Sequence, residues 1–99
     1  MSGIVFTWNE TKATNNSKKH GVTFEEAKSV FLDDYARLIA DPDHSGDEDR
    51  FVLLGMSSSL RTLVVCHCYR EDESVIRIIS ARKANKSEAE QYRVFRNEK

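Results

Sequence analysis

From Val75 to Lys83 the chain reads Val-Ile-Arg-Ile-Ile-Ser-Ala-Arg-Lys, an apolar run with an arginine near its middle. Strand alternation sets Val75, Arg77, Ile79 and Ala81 on one side and Ile76, Ile78, Ser80 and Arg82 on the other. Isoleucine on both faces predicts a strand inside its sheet. An unpaired guanidinium is costly to desolvate there, so Arg77 is expected to have a partner or to face a cleft that takes an anion.

Two more apolar runs, Arg50 to Met56 and Arg61 to Tyr69, precede it. Ser57-Ser58-Ser59 and the polar segment Arg70 to Ser74 separate the three. Loops this short predict an antiparallel meander. Tyr35 to Ala40 reads as a further strand, and Ile4 to Trp8 as a short apolar start.

Helices are marked by their ends. Residues 9 to 20 form a polar segment closed by Gly21, with Lys18, Lys19 and His20 in the last turn, where cations suit the helix dipole. Only Ala13 and Thr11 offer this helix an apolar face, so Asn15, Asn16, Lys18 and Lys19 are candidates to lie over a site. Thr23 and Glu26 are spaced as a capping box, with Val22 stapled to Ala27 and an apolar stripe of Phe24, Ala27, Val30 and Phe31 ending near Asp33 and Asp34. Ser87 and Glu90 form a second such spacing, predicting a C-terminal helix with Ala89, Tyr92 and Phe95 or Arg96 facing inward. Helices flanking an antiparallel sheet make the predicted class α+β, and 99 residues at 39% hydrophobic content predict a single domain over 1–99.

Charge changes the picture only when the chain is divided. The net charge is −1, with −4 in residues 1–50 and +3 in residues 51–99. That asymmetry permits a basic face on the second half. No charged-then-apolar leader is seen, and no apolar run approaches the roughly 18 residues of a membrane span, so a soluble, cytoplasmic protein is expected. Cys66 and Cys68 stand on one face of a strand about 6.8 Å apart, too far for an ordinary disulfide, and are expected to be reduced. His67 points away from both, and no second ligand pair exists, so no metal site is expected.

If the last hairpin turns symmetrically about Asp72, His67 falls opposite Arg77 and Val65 opposite Ile79. An imidazole and a guanidinium would then meet in mid-sheet as a phosphate site; the competing reading is a core histidine satisfied by Tyr69 or backbone. The segment Asp41 to Asp49 begins like a calcium loop, but Pro42 and the valine at its twelfth position, Val52, argue against calcium. Glu48, Asp49 and Arg50 at the loop-to-strand junction can project a carboxylate and an arginine toward a sheet face; the competing reading is a solvated loop. A carboxylate or histidine taking a ribose 2′-hydroxyl proton, with arginines stabilising the phosphorane, cleaves RNA without a metal. His20 reads either as a helix end or as a group able to titrate near neutral pH.

Lys18-Lys19-His20-Gly21-Val22-Thr23-Phe24-Glu25-Glu26-Ala27, together with Asp47-Glu48-Asp49-Arg50-Phe51 and Ile76-Arg77-Ile78-Ile79-Ser80-Ala81-Arg82-Lys83, resembles the BrnT family over residues 5 to 93. The resemblance implies a type II toxin of RelE-like α+β architecture: a metal-independent endoribonuclease without a cofactor that arrests translation and growth. It also implies a BrnA-like ribbon-helix-helix antitoxin as partner, with DNA reached only through that antitoxin. Carried over by position, the catalytic candidates are Lys19, His20, Glu48, Arg50 and Arg77, with Glu48 or His20 as base and Arg77 and Arg50 on the scissile phosphate. Arg82 and Lys83 fall to RNA binding, as does His67 on the hairpin argument. Asp47 loosens the Gly-Glu spacing of the family by one residue. A module without catalysis that binds the antitoxin and acts as corepressor is the alternative, and a plain RNA-binding domain the third.

Overall fold

The computed structural model describes residues 3–39, 50–70 and 74–98. Its elements are β1 (Val5–Thr7), α1 (Glu10–His20), α2 (Phe24–Ser29) with a 3-10 turn (Val30–Leu32), β2 (Arg37–Ile39), β3 (Phe51–Met56), β4 (Thr62–Arg70), β5 (Val75–Lys83) and α3 (Lys86–Asn97). The strands form one sheet in the order β1-β5-β4-β3-β2. The β2 to β5 neighbours are antiparallel, as the short β3–β4 and β4–β5 connections require for those pairs, and β1 lies parallel to β5. The α+β class and the meander stand.

The sheet is covered unevenly. On one face α1 and α2 pack Val22, Phe24, Ala27 and Val30 against Leu53, Leu63, Val65, Ile78 and Ala81. Gly55 belongs to this close contact, because a Cβ there would come within 2.8 Å of the Ala36 Cβ and 2.9 Å of a Val30 methyl. On the other face α3 sets Tyr92 against Val52, Leu54 and Val64, with Phe95 beside them. The Tyr92 hydroxyl donates to Asp33 at 2.6 Å, and Asp33 also accepts from the Met56 and Tyr35 amides, so one carboxylate joins α3, β3 and the turn after α2. Burial and the adjacent Asp33 push the Tyr92 hydroxyl up to about 12.

The caps explain where the helices begin. Asn9 and Thr23 accept from the third amide of α1 and α2, and Gly21 ends α1 in the left-handed region at φ 71°. The Thr23 box is only half made, because the Glu26 carboxylate turns instead to Arg61 and to the Ser57 hydroxyl. α3 opens two residues earlier than the Ser87–Glu90 spacing predicts. Asn85 and Glu88 form the reciprocal box, and Glu88 gains Arg82 as well, which outweighs the serine alternative. Glu88 therefore takes a buried place on the inner face, while Ala89 is exposed.

The β4–β5 register departs from the symmetric hairpin. Leu63 to Cys66 pair with Lys83 to Ser80, but His67 pairs with Ile78 and Cys68 with Arg77, leaving Ile79 as the extra residue of a β-bulge. The bulge resets the alternation. Ile78 and Ala81 share the α1–α2 face, and Arg77 and Arg82 fall on the other, so the two-sided assignment from simple alternation and the His67–Arg77 pairing are both corrected.

β1 reaches only the first third of β5, pairing Val5 to Thr7 with Val75 to Arg77. Farther along, that edge is closed by a side chain. Asn16 of α1 donates to the Ala81 carbonyl at 2.8 Å and to the Val22 carbonyl at 3.0 Å, and accepts from the Ala81 amide at 3.1 Å. A buried asparagine two of whose three bonds replace those of a neighbouring strand is hard to substitute. Asn16→Ala is expected to lower stability by about 2–4 kcal/mol in urea unfolding, since it leaves buried groups of Ala81 and Val22 unpaired. Asn16→Asp is expected to be at least as damaging, because a carboxylate would oppose two carbonyls.

Candidate active site

Arg77 is half-buried on β5, between Thr7 of β1 and Cys68 of β4. Among the described residues its guanidinium has no acidic partner. Cys68, Cys66 and Arg70 of β4 share its face by alternation, and β3 alternation carries Arg50, just ahead of Phe51, to the same face in line with Cys68. α3 lies over the other half of this face, against Val52, Leu54 and Val64. No helix of the described residues covers the half holding Arg50, Arg70 and Arg77. Such a set of fixed cations on a firm sheet is suited to a phosphodiester and to the extra charge of its cleavage transition state.

At the neighbouring edge, α1 meets β5 along a groove of about 230 Å³ lined by Lys12, Asn15, Asn16, Lys19, His20, Ile79 and Ser80. Lys19 and His20 therefore border β5 two to three residues from Arg77. Lys19, His20, Arg50 and Arg77 thus lie along one edge and face of the sheet. Glu48 lies outside the described residues, as does the calcium-like segment.

The three RNA-binding candidates are placed differently. His67 is fully buried on the α1–α2 face, opposite Arg77, with Nδ1 3.2 Å from the Val65 carbonyl and Nε2 3.4 Å from the Tyr69 hydroxyl. Phe31, Phe51 and Tyr69 enclose its ring at centroid distances of 4.9, 6.1 and 5.3 Å. The core-histidine reading is the one this packing matches. Burial pushes the imidazole below its ordinary value, only partly opposed by the Val65 carbonyl, so the neutral ring is favoured. Arg82 shares Arg77's face but is held by Glu88 in a two-point ion pair at 2.8 and 2.9 Å. That guanidinium, with the Asn85 amide, keeps the Glu88 carboxyl below its usual range. Lys83 is exposed at the end of β5 and pairs with Leu63, which turns it to the helix face away from Arg77.

Arg70, Lys12 and Ser80 were not singled out from the sequence as site residues, whereas Asn15 was, for the polarity of its helix. Arg70 has the parity of Cys66 and Cys68 on β4, a signal that was present. Ser80 joins the site only because of the bulge, which leaves no mark in a single sequence.

The family model of the ribonuclease toxin BrnT of type II toxin–antitoxin systems matches residues 8–88. This chain belongs to the BrnT family. The crystal structure of the ribonuclease toxin BrnT of Brucella abortus has the same fold, with a TM-score of 0.64 at 21% identity, over 84% of this chain and 99% of that one. No protein with a curated description matches by sequence. BrnT membership agrees with the resemblance carried by the Lys-His-Gly and Ile-Arg-Ile-Ile-Ser-Ala-Arg segments, and no helix of the described residues is long and apolar enough to cross a membrane.

His67 gives a pH prediction. Its folded value lies below the unfolded 6.5, so the unfolded chain binds the extra proton first; the contribution is complete above about 6.5 and is lost as the pH falls through the window beneath it. Urea midpoints are expected to begin falling near pH 6.5, ahead of the carboxylate losses of Glu26 and Glu88 below 4.5. His67→Leu is expected to remove the upper part of that decline. In a separate measurement, Arg82→Ala is expected to cost about 1–3 kcal/mol of stability, because it leaves the largely buried Glu88 without its cation.

Proposed function

We propose that this BrnT chain is a metal-independent endoribonuclease that cuts RNA on the half-face holding Arg77. The observation that supports it most is Arg77 itself: a guanidinium within the sheet, without an acid among the described residues, on the half of its face that α3 leaves uncovered. Arg77 and Arg50 hold the scissile phosphate and stabilise the phosphorane, so protein cations supply the charge that a metal supplies elsewhere. A base takes the 2′-hydroxyl proton, and the oxygen freed from the phosphate must be protonated as it leaves. His20 and Glu48 are the two candidates for the base, with His20 bordering the groove beside Lys19. Lys19 contacts a flanking phosphate, while Arg82, already paired with Glu88, and Lys83, on the opposite face, are left out of the proposed path.

The partner is a BrnA-like antitoxin with a ribbon-helix-helix region. DNA is reached only through it, and the toxin acts in the cytoplasm on RNA, inhibiting translation and growth.

Cleavage of purified RNA by the antitoxin-free chain is expected to persist in EDTA; loss on chelation would overturn the metal-free mechanism. Arg77→Ala is expected to lower kcat by about two orders of magnitude or more while its thermal transition stays measurable and near that of the parent. If it merely unfolds, Arg77→Lys, which keeps a charge but not the two-pronged donor, must still lose most activity in a folded protein. Induction without antitoxin is expected to arrest growth, and the corepressor reading expects none.

A further inference from the structure

The groove between α1 and β5 adjoins the cleavage face but is separate from Arg77. Lys12, Asn15 and Lys19 stand three and four residues apart on α1 and so share one helix face, which overlooks β5. From the strand side the groove receives Ser80, exposed and turned to Arg77's face by the bulge at Ile79. Its floor is fixed and neutral, since the Asn16 amide is committed to Ala81 and Val22. No carboxylate of the described residues lines it. Two lysines, an amide and a hydroxyl around a space this small favour a compact polyoxygen anion.

We infer that this groove is a second phosphate subsite, with Lys12, Asn15 and Ser80 joining Lys19 to hold the RNA phosphate next to the one at Arg77. Ser80 lies three residues along β5 from Arg77, roughly 7–10 Å at strand rise with a bulge between, a span that suits neighbouring phosphates of one strand. The inference rests on the RNA-cleavage reading. It adds that the substrate is a single strand extending past the cut toward α1, gripped there by charge and not by base edges.

The test uses the full chain freed of antitoxin, with Lys12→Gln and Ser80→Ala, both surface changes checked by thermal melting. With a non-cleavable single-stranded 2′-O-methyl RNA as probe, the slope of log affinity against log salt is expected to fall by about 0.7 in Lys12→Gln, the share of one phosphate contact. On cleavable RNA the same variant is expected to raise KM by about 5–10-fold at low salt with kcat within about twofold, and Ser80→Ala to raise KM by a smaller factor. A parental slope in Lys12→Gln overturns the subsite and leaves cleavage standing. A fall in kcat with KM unchanged also overturns it, since Lys12 would then act at the transition state. If the parent protein neither binds the probe nor cuts RNA, the cleavage reading falls first and the subsite with it.

Discussion

One side-chain amide holds the architecture together. β1 is too short to pair with all of β5, and the unpaired part would leave backbone donors and acceptors bare against α1. Asn16 supplies a donor and an acceptor at Ala81, spaced much as a strand would supply them, and spends its second donor proton on the turn after α1 at Val22. An asparagine is the natural residue for this, because its amide reproduces both poles of a peptide group. The polar helix α1, which has little apolar surface to bury, is thereby fastened to the sheet by hydrogen bonds in place of a hydrophobic stripe.

Much of this fold was legible from residue patterns. Gly21, Thr23 and the serine turn marked their boundaries because each acts through local backbone chemistry. The strands were found because isoleucine, valine and leucine alternate or run together where both faces are covered. What escaped detection was longer in range. The bulge at Ile79 changes every later side of β5, yet it depends on the competition between two strands for register. The start of α3 was misplaced because two equally good caps stand two residues apart, and only Arg82, which is contributed by the sheet, distinguishes them. Asn16 was suspected for the polarity of its helix, though its partner is 65 residues away.

The cations of the chain sort by whether an acid has already taken them. Arg61 is held by Glu26, and with Ser57 it fastens the β3–β4 turn to α2. Arg82 is held by Glu88 and fastens α3 to β5. In both pairs the carboxylate is the more buried member, so the ion pair serves the helix. Motif resemblance treats Arg77 and Arg82 alike because both stand in one segment. Packing separates them: Arg82 is committed to the fold, and Arg77 has no acidic partner among the described residues. Candidate assignment improved most here, since pairing is invisible to a motif.

Among the described strands, β1 precedes the others in the chain and pairs with β5, which follows them all. Its parallel seat beside Val75 to Arg77, like the bond from Asn16 to Ala81, cannot form until β5 has emerged from the ribosome. Contacts so distant in the chain close late. The helix bearing Lys19 and the strand bearing Arg77 therefore meet only after β5 is in place. A nascent chain of this shape carries these two elements apart until β5 has been made.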